Sequence, residues 1–274
     1  MKSRLVLSMT VLLALAACKP EAAPVETAPA APAAETAVAP AAAPVAATEE
    51  APAAPAAVET APAAAAAPAT PAPAPYTGPA LVPGVDYTEI AGGQPYEPLD
   101  GKVEVVEFFN YICPACNAFE PLLRDWKSRQ AADVRVTLIP ATFRPDFAEY
   151  AKAYYAAEAL GIAAKSHDAV YRAVHMEGRL PGEGQKFDAD KVAAFYAQYG
   201  VSADQFKNTM RSFAVNGKVN KGNQFMLRSQ IGGTPSLVVN GKYLVKGRSW
   251  EDMIRILEGL VAQERAKAAT GAAN

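Results

Sequence analysis

The chain has 274 residues, of which 51% are apolar, with a formal net charge of −2 and only three cysteines. So balanced a charge excludes an electrostatic nucleic-acid binder. After residue 17 no apolar run is long enough to span a membrane, and no internal repeat marks a solenoid.

In chain order, residues 1–17 carry Lys2 and Arg4 ahead of a short apolar run, the pattern of a signal peptide and too short for a spanning helix. The run ends at Leu15-Ala16-Ala17-Cys18, which resembles a bacterial lipobox. That resemblance implies cleavage before Cys18 and a diacylglycerol on its sulfur, an anchor that does not span the bilayer. An Ala-x-Ala cleavage site with a chance cysteine is the plainer reading. From Lys19 to about Ala80 the sequence is nearly all Ala, Pro, Thr, Val and Glu. Proline forbids a continuous helix and alanine offers little area to bury, so residues 18–80 are expected to form a disordered, partly polyproline II tether. The first 80 residues hold three of the basic and six of the acidic residues, which leaves residues 81–274, the expected folded unit, close to neutral.

Within that unit "KVEVVEFFNYI" reads as a strand, and its nearly continuous apolar end suits a central strand buried on both faces. "CPACNAFEPLLRDWKSRQ" reads as a helix with Phe119, Leu122, Leu123 and Trp126 on one side. Pro114 fits its first turn, while Pro121 lies deep enough to kink it. "DVRVTLIPAT" is a second strand, giving a parallel strand–helix–strand crossover. Helical spacing follows in "PDFAEYAKAYYAAEALG", "AAKSHDAVYRAVHMEG", "DADKVAAFYAQYG" and "SADQFKNTMRSFAV", with a further helix over "GKVNKGNQFMLRSQ". Ser202 with Gln205 makes a capping box, and Gly161 and Gly200 serve as C-caps. "TPSLVVNGKYLVKG" returns to strand, with Asn240-Gly241 as a two-residue hairpin signal. "SWEDMIRILEGLVAQERAKA" closes the unit as a helix capped by Ser249. The fold class is α/β with an all-helical insertion over about 141–230.

Cys113 and Cys116 sit at the strand-to-helix junction. A zinc site needs four ligands. The fold offers these two thiols with His167 and His175, eight apart and expected on different helix faces, so no metal is expected and both histidines read as ordinary helix residues. A structural disulfide here would close a tiny loop and restrain the unfolded chain little. A redox couple fits best. Cys113 falls at the helix start, where unpaired amides and the positive end of the dipole favour thiolate over thiol. Cys116, one turn along, points inward as the resolving thiol. The pair itself carries the electrons, and no cofactor is expected. Glu107, on the strand leading into Cys113, is read as a buried carboxylate that exchanges a proton with Cys116; a solvated strand end is the alternative. Pro235 opens a later strand where a missing donor is tolerated.

The stretches "VEFFNYICPACNAFE" and "GGTPSLVVNGKYLV", with the helical insertion and the terminal helix, together resemble the DsbA family of periplasmic thiol:disulfide oxidoreductases. The similarity runs from about Asp86 to Ala266. It implies a thioredoxin fold with an inserted helical domain, and a cis bond before Pro235 that lays the Thr234 backbone beside Cys113. Pro114, Ala115, Thr234 and Pro235 then face the incoming peptide, and Glu107 is the buried acid. It also implies unfolded exported clients with free thiols, a DsbB-like quinone-linked membrane reoxidant and a periplasmic location. Two positions depart from the family pattern. Ala115 stands where histidine is usual, which should make the pair less oxidising, and Thr234 replaces valine, as in thioredoxins and the DsbC isomerases. A reductase or isomerase, or a non-catalytic thioredoxin-fold chaperone, are the other readings.

Overall fold

The computed structural model describes residues 75–271. The expected signal peptide, Cys18 and nearly all of the expected tether lie outside them. One sheet contains β1 (Tyr87–Glu89), β2 (Val103–Phe109), β3 (Val134–Pro140), β4 (Ser236–Val239) and β5 (Tyr243–Val245), in the order β1-β5-β4-β2-β3. The helices are α1 (Pro114–Ser128), α2 (Pro145–Ala159), α3 (Ala163–His175), α4 (Ala189–Tyr196), α5 (Ala203–Met210), α6 (Phe213–Arg228) and α7 (Trp250–Gly271). β2 and β3 run parallel, from Val103 opposite Val134 to Phe109 opposite Pro140, with α1 as the crossover. β4 is antiparallel to β2 on its other side. Helices α2 to α6 stand between β3 and β4, over the stretch read as the insertion.

Every residue of β2 is buried, as its unbroken apolar run requires of a strand covered on both faces. On one face Val103 and Val105 pack with Phe119, Leu123 and Trp126 of α1 and with Ile256, Leu257 and Leu260 of α7. On the other, Val106 and Phe108 meet the helical segment, including Tyr155, Phe225 and Met226. Gly222 lets α6 lie close to β3, because a Cβ there would come 2.9 Å from both Ile139 Cγ2 and the Tyr155 hydroxyl.

Several local expectations change. The run from Ser202 to Val215 does not form one helix. Ser212 Oγ accepts the Val215 N–H at 3.2 Å and starts α6 at Phe213, four residues before Gly217. A serine able to cap has overridden an apolar period that would otherwise continue. β1 was not foreseen, since three residues are too few to show a period; it is an edge strand set by pairing Tyr87 with Val245. At the β4–β5 hairpin Lys242 N–H closes a turn onto the Val239 carbonyl at 2.9 Å, with left-handed backbone at Asn240 (φ 49°) and Gly241 (φ 67°). Pairing resumes at Tyr243 opposite Val239, so three residues separate the paired positions rather than two. α1 runs through Pro121 without interruption. Ser202 and Ser249 cap as expected, accepting the N–H of Gln205 and Asp252, each at 3.1 Å.

Candidate active site

β2 delivers the chain into a short loop, Asn110 to Ile112, before α1 begins. Asn110 is buried and holds this loop. Its Oδ1 accepts the Ile112 N–H at 3.2 Å, and its carbonyl accepts the Cys113 N–H at 3.1 Å. Its amide donates to the carbonyls of Ala141 and Phe147 at 3.0 and 3.1 Å, which ties the loop to the end of β3 and the start of α2. Asparagine suits the position because its side chain can stand in for a backbone turn. Sequence reading passed over it, although an Asn lodged between strand and cysteine was the signal.

Cys113 is the N-cap of α1, with extended backbone (φ −81°, ψ 115°), and Pro114 follows at the first helical position. Cys113 Sγ accepts the Cys116 N–H at 3.4 Å, and its thiol donates to the Thr234 carbonyl at 3.5 Å. The Cys116 thiol, donating to the neighbouring sulfur, does most to bring the Cys113 pKa from 9.0 down to about 6. The Thr234 hydroxyl and the N–H groups of Cys116 and Ala115 act in the same direction, against burial. Cys116 goes the other way. Burial pushes its pKa far up, aided by its hydrogen bond to Cys113 and by the charge of Glu107. Two like residues three apart therefore differ sharply in how readily they ionise, through position alone.

The sheet register explains how Thr234 arrives there. Glu107 pairs with Leu237 and Phe108 with Ser236, so the segment ahead of β4 lies at the same end of the sheet as Cys113. The Thr234–Pro235 peptide is cis. Ala115 is half-buried and Pro114 exposed beside the sulfur.

Glu107 is 1% exposed, and neither carboxylate oxygen has a hydrogen-bond partner among the described residues. Its pKa stands well above 4.5. Burial is the main cause, Glu120 and Cys113 add to it, and Lys127 opposes it. Glu120 lies four residues after Cys116 and so on the same helix face; that spacing was the overlooked signal for it. It lines a cleft of about 590 Å³ bounded by α1, β3, α2 and α3, together with Lys127, Tyr154, His167 and Asp168.

The two histidines do not lie on unrelated faces. Eight residues on a helix return to within about 80°, and both reach Tyr111. His167 Nδ1 is 3.0 Å from its hydroxyl, and His175 Nε2 donates to its carbonyl at 2.8 Å. His167 Nε2 also lies 3.4 Å from Glu120 Oε2. No grouping of three His, Cys, Asp or Glu able to hold a metal occurs among the described residues, nor any helix long and apolar enough to cross a membrane.

Comparison with known proteins agrees with this geometry. The family model of the DSBA-like thioredoxin domain matches residues 104–257. The thiol:disulfide interchange protein DsbA of Pseudomonas aeruginosa is 32% identical over 188 residues, covering 68% of this chain and 86% of that protein. Its namesake in Burkholderia cepacia is 34% identical over 188 residues, covering 67% and 86%. The crystal structure of oxidoreductase DsbA from Xylella fastidiosa superposes with a TM-score of 0.65 at 44% identity, over 69% of this chain and 98% of that one. The chain belongs to the DsbA-like thioredoxin family and is a thiol:disulfide oxidoreductase.

Proposed function

We propose that the Cys113–Cys116 pair introduces disulfides into exported proteins, with Glu107 as the proton partner of Cys116 and with Pro114, Ala115, Thr234 and Pro235 forming the surface that meets the client. In the oxidised enzyme a client thiolate attacks Cys113 Sγ. The electron pair of the 113–116 bond leaves on Cys116 Sγ, where burial makes a lasting thiolate costly, and the Glu107 carboxyl supplies a proton. A second client thiolate then attacks the client sulfur of the mixed disulfide and expels Cys113 as thiolate. That sulfur leaves easily because its charge is held first by the Cys116 thiol and then by the amides at the helix start. The reduced pair passes its two electrons to a DsbB-like quinone-linked membrane protein.

The observation that carries this reading is the split between the two sulfurs, Cys113 brought down to about 6 and Cys116 driven up. Residues 1–17 read as an export signal, Cys18 as the lipidated residue and the tether as a spacer. Together they favour the periplasm, with the folded unit anchored to the inner or outer membrane; Lys19, rather than Asp, after the cysteine resembles outer-membrane sorting in some bacteria. The direct test is the rate at which the purified oxidised protein introduces disulfides into a reduced unfolded substrate. No excess over a Cys113→Ser control would sink the proposal. Thr234 supports a second reading, a reductase or isomerase, since its hydroxyl acts on both sulfurs. The redox state of the pair in cells separates the two: chiefly disulfide for an oxidase, chiefly dithiol for a reductase or isomerase.

A further inference from the structure

The loop from Asn110 to Ile112 decides where Cys113 sits. The Cys116 N–H reaches Cys113 Sγ at 3.4 Å, long enough that a small displacement of the loop would give the bond up. The loop belongs to neither β2 nor α1, so its backbone groups need partners of another kind. Asn110 meets two of them from within, accepting the N–H groups of Ile112 and Cys113. The carbonyl of Tyr111 takes its donor from outside the loop.

That donor is His175, the last residue of α3. Its Nε2 donates to the Tyr111 carbonyl at 2.8 Å. A carbonyl only accepts, so Nε2 carries a proton. It can do so in the neutral ring as well as in the protonated one, and the contact does not depend on the ring's charge. The half-buried ring is seated by stacking on Tyr171, with centroids 6.1 Å apart at 29°. Tyr171 in turn meets the Tyr111 ring edge-on at 5.3 Å, and His167 Nδ1 lies 3.0 Å from the Tyr111 hydroxyl. His167, Tyr171 and His175 are spaced four apart and form one stripe along α3. That stripe holds Tyr111 by side chain and by backbone at once. Of the three, His175 alone bonds the main chain, two residues before the reactive sulfur.

We propose that His175 is a positioning residue for the redox pair: by fixing the Tyr111 carbonyl it sets how the loop enters α1, and so keeps Cys113 Sγ within reach of the first-turn amides. The helical insertion then takes part in the chemistry of the pair without touching either sulfur. The proposal rests on Cys113 being the sulfur whose charge is held at the helix start.

Two variants separate the hydrogen bond from the packing. His175→Gln keeps a side-chain N–H donor at similar reach, whereas His175→Phe keeps a ring on Tyr171 and loses the donor. Thiolate absorbance at 240 nm of the reduced full chain, read against its oxidised form, follows Cys113. In His175→Phe it should ionise about one pH unit above the wild-type value near 6, the size expected when a hydrogen bond to a charged group is lost. His175→Gln should restore the wild-type titration. With less thiolate at pH 7 the reduced form is less favoured. The oxidising equilibrium constant against glutathione should therefore fall several-fold in His175→Phe and recover in His175→Gln. A lowered Tm with unmoved titration and equilibrium in both variants would make His175 a packing residue and overturn the proposal. No ionisation near pH 6 in the wild-type chain would remove the reading of Cys113, and the proposal with it. Should His175→Phe not fold, the wild-type chain decides. The His175 Nε2–H should appear in nitrogen-edited proton NMR as a slowly exchanging signal that shifts when the pair is reduced. A signal blind to the redox state would overturn the proposal.

Discussion

Strand β2 carries two buried glutamates three residues apart, and they are treated in opposite ways. Glu104, at the entry end, is fully enclosed, yet its carboxylate accepts the N–H groups of Tyr96 and Glu97 at 2.7 and 3.2 Å and a guanidinium N–H of Arg135 at 2.8 Å. Its own N–H donates to Asn240 Oδ1 at 2.8 Å. Glu107, at the exit end, is equally enclosed and has no such partner among the described residues. The first is a charge neutralised to hold the segment before β2 against the sheet. The second is held in a setting that favours the neutral acid, which leaves a proton available to give. Alternation along the strand sends the two side chains to opposite faces. Glu104 therefore faces the side of Val106 and Phe108, whereas Glu107 faces α1 and the cysteines. Burial alone does not distinguish the two carboxylates; what differs is compensation, complete for Glu104 and without a hydrogen-bond partner for Glu107 among the described residues.

Two substitutions can break that contrast. Glu104→Ala strands Arg135 and two backbone N–H groups, and should lower stability by about 3–5 kcal/mol, the usual cost of removing one partner of a buried pair. Thermal and denaturant unfolding would measure it, with no change in the Cys113 titration. Glu107→Gln should do the reverse at neutral pH, raising stability because the amide, unlike the acid, has no charged form that only the unfolded chain can adopt, while slowing the opening of the disulfide. The sign follows from linkage. The folded-state pKa of Glu107 lies above its ordinary 4.5, so the folded protein holds a proton that the unfolded chain releases. Its contribution is most favourable below pH 4.5 and is lost as pH rises toward the folded value. The gain from Glu107→Gln should accordingly shrink as the buffer is taken below pH 4.5. A loss of stability as large as that of Glu104→Ala, at any pH, would mean that the two carboxylates do the same job.

Much of this site was legible before any coordinates. The apolar run of β2, the cysteines at a helix start and the Thr-Pro ahead of a strand are local patterns, and each predicts a local geometry that the structure has. Glu107 was visible for the same reason, as a charge in an apolar run. Glu104 sits in the same run, but its meaning depends on Tyr96, Arg135 and Asn240, which no spacing rule connects to it. In the sequence His167 reads as an ordinary helix residue because its partners, Tyr111 and Glu120, lie 56 and 47 positions earlier, on the loop after β2 and on α1. The α5–α6 break is of a different kind: Ser212 stands in plain view in the sequence, and its capping of Val215 outweighs an apolar period that continues past it. What sequence hides here is the pairing of polar groups across elements, and those pairings decide which buried charge is structural.

The smallest expected effect asks whether the chemical end of β2 can be tuned from outside without touching either carboxylate. Ala115 contributes only its backbone N–H to the Cys113 sulfur. Ala115→His would place a cation within reach at low pH, and a nearby positive charge favours the thiolate. Because the position is half-exposed, solvent should weaken the effect to a further drop of about half a pH unit below the present value near 6. Thiolate absorbance at 240 nm would follow it. The same titration carries a stability signature. Cys113 has its folded pKa below the ordinary 9.0, so its contribution is fully present above pH 9 and is lost as pH falls through about 6. The oxidised protein has no such group to titrate. The stability of the reduced form relative to the oxidised form should therefore climb between pH 6 and pH 9, and in Ala115→His the climb should begin at a lower pH. A flat difference across that window would place the charge-holding role somewhere other than the start of α1, and the contrast between the two glutamates would then concern stability only.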